Sequence, residues 1–152
     1  MNLAWTGTII VLLIALASGI LMAVQGSLNS AFAKIIGLLE ATFVVHATAA
    51  LILVIALFLF KLGQGNFANY DQVPWYLYLG GAIGILITYG VVATIPKVGV
   101  AIATTAIIVG QVTTACLVDH FGLFGLQKIP FTWLKLVGII LLAAGAKLML
   151  VR

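Results

Sequence analysis

Charge is what this chain has least of. Seven Lys or Arg and three Asp or Glu make up only 7% of its 152 residues. A water-soluble fold covers itself with charged and polar side chains, and so few charges cannot cover this one. The sequence pI near 9.5 does not point to nucleic acid, because the basic residues are scattered rather than gathered into a stripe. Cysteine is nearly absent. Cys116 is alone, which excludes an intrachain disulfide and a cysteine-based metal cluster. The remaining metal-ligand candidates, His46, His120, Glu40, Asp71 and Asp119, show no recognised spacing, and the adjacent Asp119 and His120 would point to different sides of a helix. There is no Gly-x-Ser-x-Gly, no phosphate-binding glycine loop and no paired-carboxylate motif. The sequence therefore points to no enzyme, no cofactor and no metal. The longest connection, residues 61–74, is too short to bury a core of its own, so a single domain is expected over residues 1–152.

What the chain has in abundance is apolar length. Hydrophobic residues are 64% of the sequence and the mean hydropathy is +1.33. Five stretches, residues 3–24, 41–60, 75–95, 98–118 and 131–150, carry almost no charge. An α-helix rises about 1.5 Å per residue, so roughly 20 apolar residues cross a hydrocarbon core of about 30 Å. The expectation is an all-α integral membrane protein with five transmembrane helices. The first stretch lacks a basic n-region and continues into Gln25, Ser27 and Asn29, so it reads as a retained span rather than a signal peptide.

Span 1 should outlast the bilayer, running over residues 3–33, with Lys34 and Gly37 ending it. Ser18, Met22, Gln25 and Asn29 are four, three and four residues apart and share one stripe. A short connection returns span 2 antiparallel beside it. Span 2 is apolar except for Thr42, His46 and Thr48, and ends in Phe58, Phe60 and Lys61, an interfacial border. Residues 63–72 read as an exposed loop. Trp75, Tyr76 and Tyr78 begin span 3, where Gly80 and Gly84 make a Gly-x-x-x-Gly groove for a neighbouring helix. Pro96 and Lys97 mark a tight turn into span 4. That span is the most polar, with Thr104, Thr105, Gln111, Thr113 and Thr114. The aromatic segment 119–133 should lie along the interface. In span 5, Gly138 and Gly145 form a second packing groove, and Lys147 and Arg152 reach the headgroups.

Five spans put the termini on opposite sides. Lys61, Lys128 and Lys135 then fall on one side and Lys34, Lys97, Lys147 and Arg152 on the other. Orientation follows an excess of Lys and Arg on one side, and three against four is hardly an excess. Either the chain inserts in both directions or it has one weakly biased orientation. Dual insertion would make an antiparallel homodimer available, an inverted-repeat arrangement of ten helices built from two copies of one chain.

The segment Gln25-Gly-Ser-Leu-Asn29-Ser-Ala-Phe-Ala-Lys34 resembles the end of the first helix of the YdcZ-type proteins, a five-span branch of the drug/metabolite transporter superfamily. Val109-Gly110-Gln111, followed by Asp119-His120-Phe121-Gly122-Leu123-Phe124-Gly125, is similar too. The ending from Gly138 to Gly145 resembles the last helix of superfamily members generally. The likeness covers essentially the whole chain. It implies half of a ten-helix transporter in a bacterial inner membrane, moving small metabolites or toxic compounds. The small multidrug-resistance relatives couple export to protons through a buried glutamate in the first helix. Here span 1 has no acidic residue, and Gln25 and Asn29 are its strongest polar groups, so that mechanism is not carried over.

The expected function is small-molecule transport by alternating access, with a second copy and membrane lipid as partners. Gln25, Asn29, Thr104 and Gln111 would line the substrate cavity, and Trp5 and Met22 would add apolar wall. The other reading of these amides is as bonds across a helix interface in a non-transporting subunit that stabilises another membrane protein. His46 is either a titrating functional group or a neutral histidine bonded to a neighbouring helix. Asp119, beside the negative pole of its helix, calls for a cationic partner, with Lys128, Lys135 and His120 within reach.

Overall fold

The computed structural model describes residues 2–150, with side chains from Gly7 onward. Trp5 and Arg152 lie outside the described side chains. Five α-helices follow one another: α1 (Asn2–Ile36), α2 (Leu38–Val54), α3 (Leu79–Val98), α4 (Val100–Phe121) and α5 (Trp133–Met149). Among the described residues, four segments are long and apolar enough to cross a membrane: Gly7–Ile36, Leu38–Leu59, Trp75–Val98 and Val100–Phe121. α5, at 17 residues, rises about 25 Å and is shorter than these four.

Two single glycines turn the chain. α1 meets α2 at Gly37 (φ 105°, ψ 155°), and α3 meets α4 at Gly99 (φ 90°, ψ 160°). L side chains rarely adopt this backbone. The hydrogen bonding is the same at both corners. Gly37 donates its N–H to the Ala33 carbonyl at 3.0 Å and accepts from Ala41 at 3.0 Å, and Gly99 donates to Ile95 at 2.9 Å and accepts from Ala103 at 3.1 Å. Each glycine closes one helix and opens the next, so both partners return antiparallel.

The expected turn at Pro96 is corrected by this geometry. α3 runs through Pro96 and stops at Val98. So near the end of a helix, proline removes one backbone bond without ending the helix, whereas the reversal needs a positive φ that only Gly99 supplies. The expected loop over residues 63–72 also holds local structure. A 3₁₀ turn, Phe67–Gln72, is capped by Asn66, whose side chain accepts from the Ala68 N–H. The Tyr78 hydroxyl donates to the Tyr70 carbonyl at 2.7 Å, fastening that turn to the aromatic entry of α3. α2 ends in a π-helical turn, Ile55–Leu59.

α1 packs on α2 and α3, α4 packs on α3 and α5, and α1 reaches α4 over a smaller contact. Thr105 Oγ1 lies 3.4 Å from the Met149 sulfur, so the end of α5 sits beside the start of α4. Among the described residues the buried apolar core is only Ala41, Val92, Ile95 and Ala103. The chain exposes 11789 Å², where a compact protein of 16.0 kDa exposes about 7,400 Å². The helices hold each other by narrow seams and leave most of their apolar surface to other molecules.

Three packing expectations are revised. A Cβ built at Gly80, Gly138 or Gly145 would meet nothing within 4 Å, and one at Gly84 meets only His46 Nε2, at 3.9 Å. The Gly80–Gly84 groove therefore admits one imidazole rather than a helix backbone, and the face of Gly138 and Gly145 is open. The Asp119 carboxylate makes no ion pair among the described residues. Its backbone carbonyl accepts from Ile129 at 2.8 Å, and His120 Nδ1 accepts from the Phe131 N–H at 3.1 Å. These backbone bonds fold the α4–α5 connection back where an ion pair was expected.

Candidate functional site

The two glycine corners set the depth of the polar residues. Gln25 lies eleven residues before Ile36, the end of α1, and Gln111 eleven residues after Val100, the start of α4. At about 1.5 Å per residue both lie roughly 16 Å from the corners, close to the middle of a hydrocarbon core about 30 Å thick.

α1 and α3 meet at Gly26. A Cβ there would stand 3.0 Å from Val91 Cγ1 and 3.1 Å from Ile95 Cδ1. This close seam leaves space on both sides. One hollow, about 100 Å³, lies between α1, α3 and α4, with Met22, Thr104, Ile107 and Gln111 among its walls. The other, about 50 Å³, lies between α1 and α3 and is lined by Met22, Gln25, Asn29 and Thr88. Met22, Gly26, Ile87 and Val91 belong to both walls. Five of the seven residues singled out from sequence thus surround two adjoining hollows. Gln25 and Asn29 stand on one side of the Gly26 seam, and Thr104 and Gln111 on the other.

His46 is elsewhere. It lines a groove of about 510 Å³ with Leu39, Glu40, Thr42, Phe43, Val44 and Ile85. Its Nδ1 lies 2.9 Å from the Thr42 carbonyl, which can only accept, so Nδ1 carries the proton and Nε2 faces Gly84. Ser18 follows the same local habit, donating to the Ile14 carbonyl at 2.9 Å away from the hollows.

The polar side chains fall into two classes. Ser27, Thr42, Thr94, Thr105 and Thr113 each donate to a carbonyl four residues back in their own helix, the usual way a hydroxyl is satisfied in lipid. Gln25, Asn29, Thr88, Thr104 and Gln111 around the two hollows, and Ser30, Thr48 and Thr114 away from them, have no side-chain hydrogen-bond partner among the described residues. In hydrocarbon an unmade hydrogen bond is expensive, and these groups are free to take a further hydrogen-bonding partner. Their chemistry is amide and hydroxyl, with no carboxylate or ammonium among them. It suits hydrogen bonding to a polar group of a small molecule.

The contribution of α3 was missed from sequence. Thr88 and Val91 carried no signal there, because a lone threonine or valine is ordinary in an apolar span. Gly26 could have been noticed through its seven-residue spacing from Gly19, which lines the larger hollow too.

Residues 10–148 match a family model, DMT_YdcZ, described as "Putative inner membrane exporter, YdcZ". No curated protein and no solved structure matches the chain. The match spans nearly all of the sequence and takes in every polar residue around the two hollows. With its long apolar helices, the chain belongs to the DMT_YdcZ family and is a multi-pass protein of the inner membrane.

Proposed function

We propose that the protein exports small molecules by alternating access, as an antiparallel homodimer of ten spans in which α5 is the fifth crossing of each copy. The two copies then form the inverted repeats that many transporters carry in one chain. The observation that carries this reading is the unpaired set Gln25, Asn29, Thr104 and Gln111, drawn from two helices to adjoining hollows near mid-membrane. The near balance of basic residues between the two sides supports dual insertion, and the large exposed apolar surface supports a second copy. With no acidic group at the hollows, the substrate is a molecule recognised by hydrogen bonds rather than by ion pairing.

The test is Gln25→Leu, assayed in proteoliposomes against a panel of metabolites and cationic compounds, with and without a pH gradient. Leucine keeps roughly the volume and removes both donors and the acceptor. An unmade buried hydrogen bond costs about 1–3 kcal/mol, or roughly 5- to 150-fold in affinity. Transport should fall within that range while melting temperature and dimer yield stay at wild-type values. Unchanged transport with a less stable dimer would instead make Gln25 interhelical glue and favour the non-transporting subunit.

A further inference from the structure

The larger hollow does not end inside the chain. Ile107 and Gln111 line it, and both also line an open groove of about 580 Å³ on the outer face of α4. The groove is lined by Asp119, Leu126 and a row of six on α4, Ile107, Gly110, Gln111, Thr114, Ala115 and Val118, the six spaced three, one, three, one and three residues apart on one helix face. From either end the row reads the same: branched aliphatic, small, hydrogen-bonding, hydrogen-bonding, small, branched aliphatic.

We infer that the second copy docks on this groove with its own α4, antiparallel, and that the hollow is complete only when it does. The inference rests on the two-copy reading above and names its interface. A two-fold axis requires that residue i meet residue j and j meet i. Antiparallel pairing about the centre of the row sets Ile107 against the partner's Val118, Gly110 against the partner's Ala115 and Gln111 against the partner's Thr114. Small residues meet where the backbones cross, and each amide finds a hydroxyl.

Three observations favour a second copy over lipid. Gln111 and Thr114 are exposed and have no hydrogen-bond partner among the described residues, although Thr113 beside them donates to the Val109 carbonyl at 2.8 Å. Acyl chains offer such groups nothing. The centre of the row, between residues 112 and 113, lies about 3 Å from the middle of α4 (Val100–Phe121), so a two-fold axis in the membrane plane leaves both copies at nearly the same depth. A Cβ at Gly110 meets nothing within 4 Å in its own copy, which leaves room for a neighbouring helix to approach. The partner's Thr114 and the partner's Val118 then wall the mouth of the hollow where Gln111 stands.

The test uses the full chain in lipid nanodiscs and proteoliposomes. In a Cys116→Ala background, differently tagged copies carrying Ile107→Cys and Val118→Cys are co-expressed and treated with a short bismaleimide. The antiparallel row predicts linkage between the unlike positions. Like positions stay unlinked, because residues 107 and 118 are eleven apart in sequence and the two copies of either lie about 16 Å apart along the axis. Gly110→Leu should abolish the dimer while helical content and the monomer persist. Gly138→Leu, equally open in its own copy, should leave the dimer intact. Linkage of like positions only, a dimer with no linkage, a dimer that survives Gly110→Leu, or a wild-type monomer in nanodiscs would each overturn the inference. Its failure is separable from that of the transporter reading. Transport without unlike linkage rejects this interface alone, whereas unlike linkage without transport of any panel compound rejects export and leaves the interface standing.

Discussion

Gly26 is where the packing and the hollows depend on the same atom. Replacing it with alanine places a Cβ 3.0 Å from Val91 Cγ1 and 3.1 Å from Ile95 Cδ1, against about 3.5–4.0 Å for an unstrained carbon contact. The Ile95 atom is the far end of a side chain and can rotate away. The Val91 atom sits on a β-branched side chain with essentially one χ1 rotamer in a helix, so α1 and α3 must separate by roughly half an ångström there. Overpacking of this kind costs about 1–3 kcal/mol. Against it stands about 1 kcal/mol of helix propensity gained when glycine becomes alanine, which leaves a net destabilisation of about 0–2 kcal/mol. Because the sum is small, the discriminating measurement is a double-mutant cycle with Val91→Ala, read as melting temperature in nanodiscs. Removing the Val91 methyls relieves the clash, so the double variant should be more stable than the two single effects added together, by about 1 kcal/mol or more. Additivity within error would refute the contact. The variants also report on function, since both residues wall both hollows. Gly26→Val, whose added carbons take up much of the 100 Å³ hollow, should block transport more severely than its melting temperature falls.

The glycine corners give a second prediction. Gly37→Ala and Gly99→Ala each force an L residue to a strongly positive φ at about 1–3 kcal/mol, and the two should lower the melting temperature alike, because the Glu40 carboxylate beside Gly37 is the far end of a flexible side chain and can swing away while the space at Gly99 is open. His120→Ala removes the acceptor of the Phe131 N–H and should speed hydrogen exchange at that amide without altering exchange along α4. Unchanged protection would mean that the Ile129–Asp119 backbone bond holds the connection unaided. For topology, a C-terminal reporter should give signal on both sides of the membrane. Three lysines added after Lys61 should fix the C-terminus outside, and three after Arg152 should fix it inside. A wild-type signal confined to one side would remove the antiparallel dimer and the interface drawn from it.

The helices were legible because lipid imposes a length, and apolar runs of that length are easy to read. Gly37 was legible as well, standing three residues after Lys34 at the end of a run that already outlasts the bilayer. Pro96 misled for a definite reason. Proline is the stronger helix breaker in mid-helix, but a reversal within one residue needs a backbone conformation, and three residues on Gly99 could adopt it. Asp119 misled differently: the charge suggested an ion pair, while the fold uses its carbonyl.

Depth in the membrane can be read from sequence, but direction around the helix axis cannot. In water, an apolar stripe tells which face of a helix is inside. In lipid both faces are apolar, and the period carries no such information. Gln25 and His46 therefore looked alike, as polar groups more than one turn inside a span, although one borders the hollows with α3 and the other faces a separate groove. The signal that separates them is the state of their hydrogen bonds. His46 is tied to the Thr42 carbonyl of its own helix, a bond any isolated helix could make. Gln25, Asn29 and Gln111 decline that option and stay unpaired beside a seam made by a glycine. Keeping three amides unpaired in a nonpolar solvent destabilises a lone chain. In the proposed dimer a second copy and a substrate supply the missing partners, which makes these unpaired amides the groups to test first.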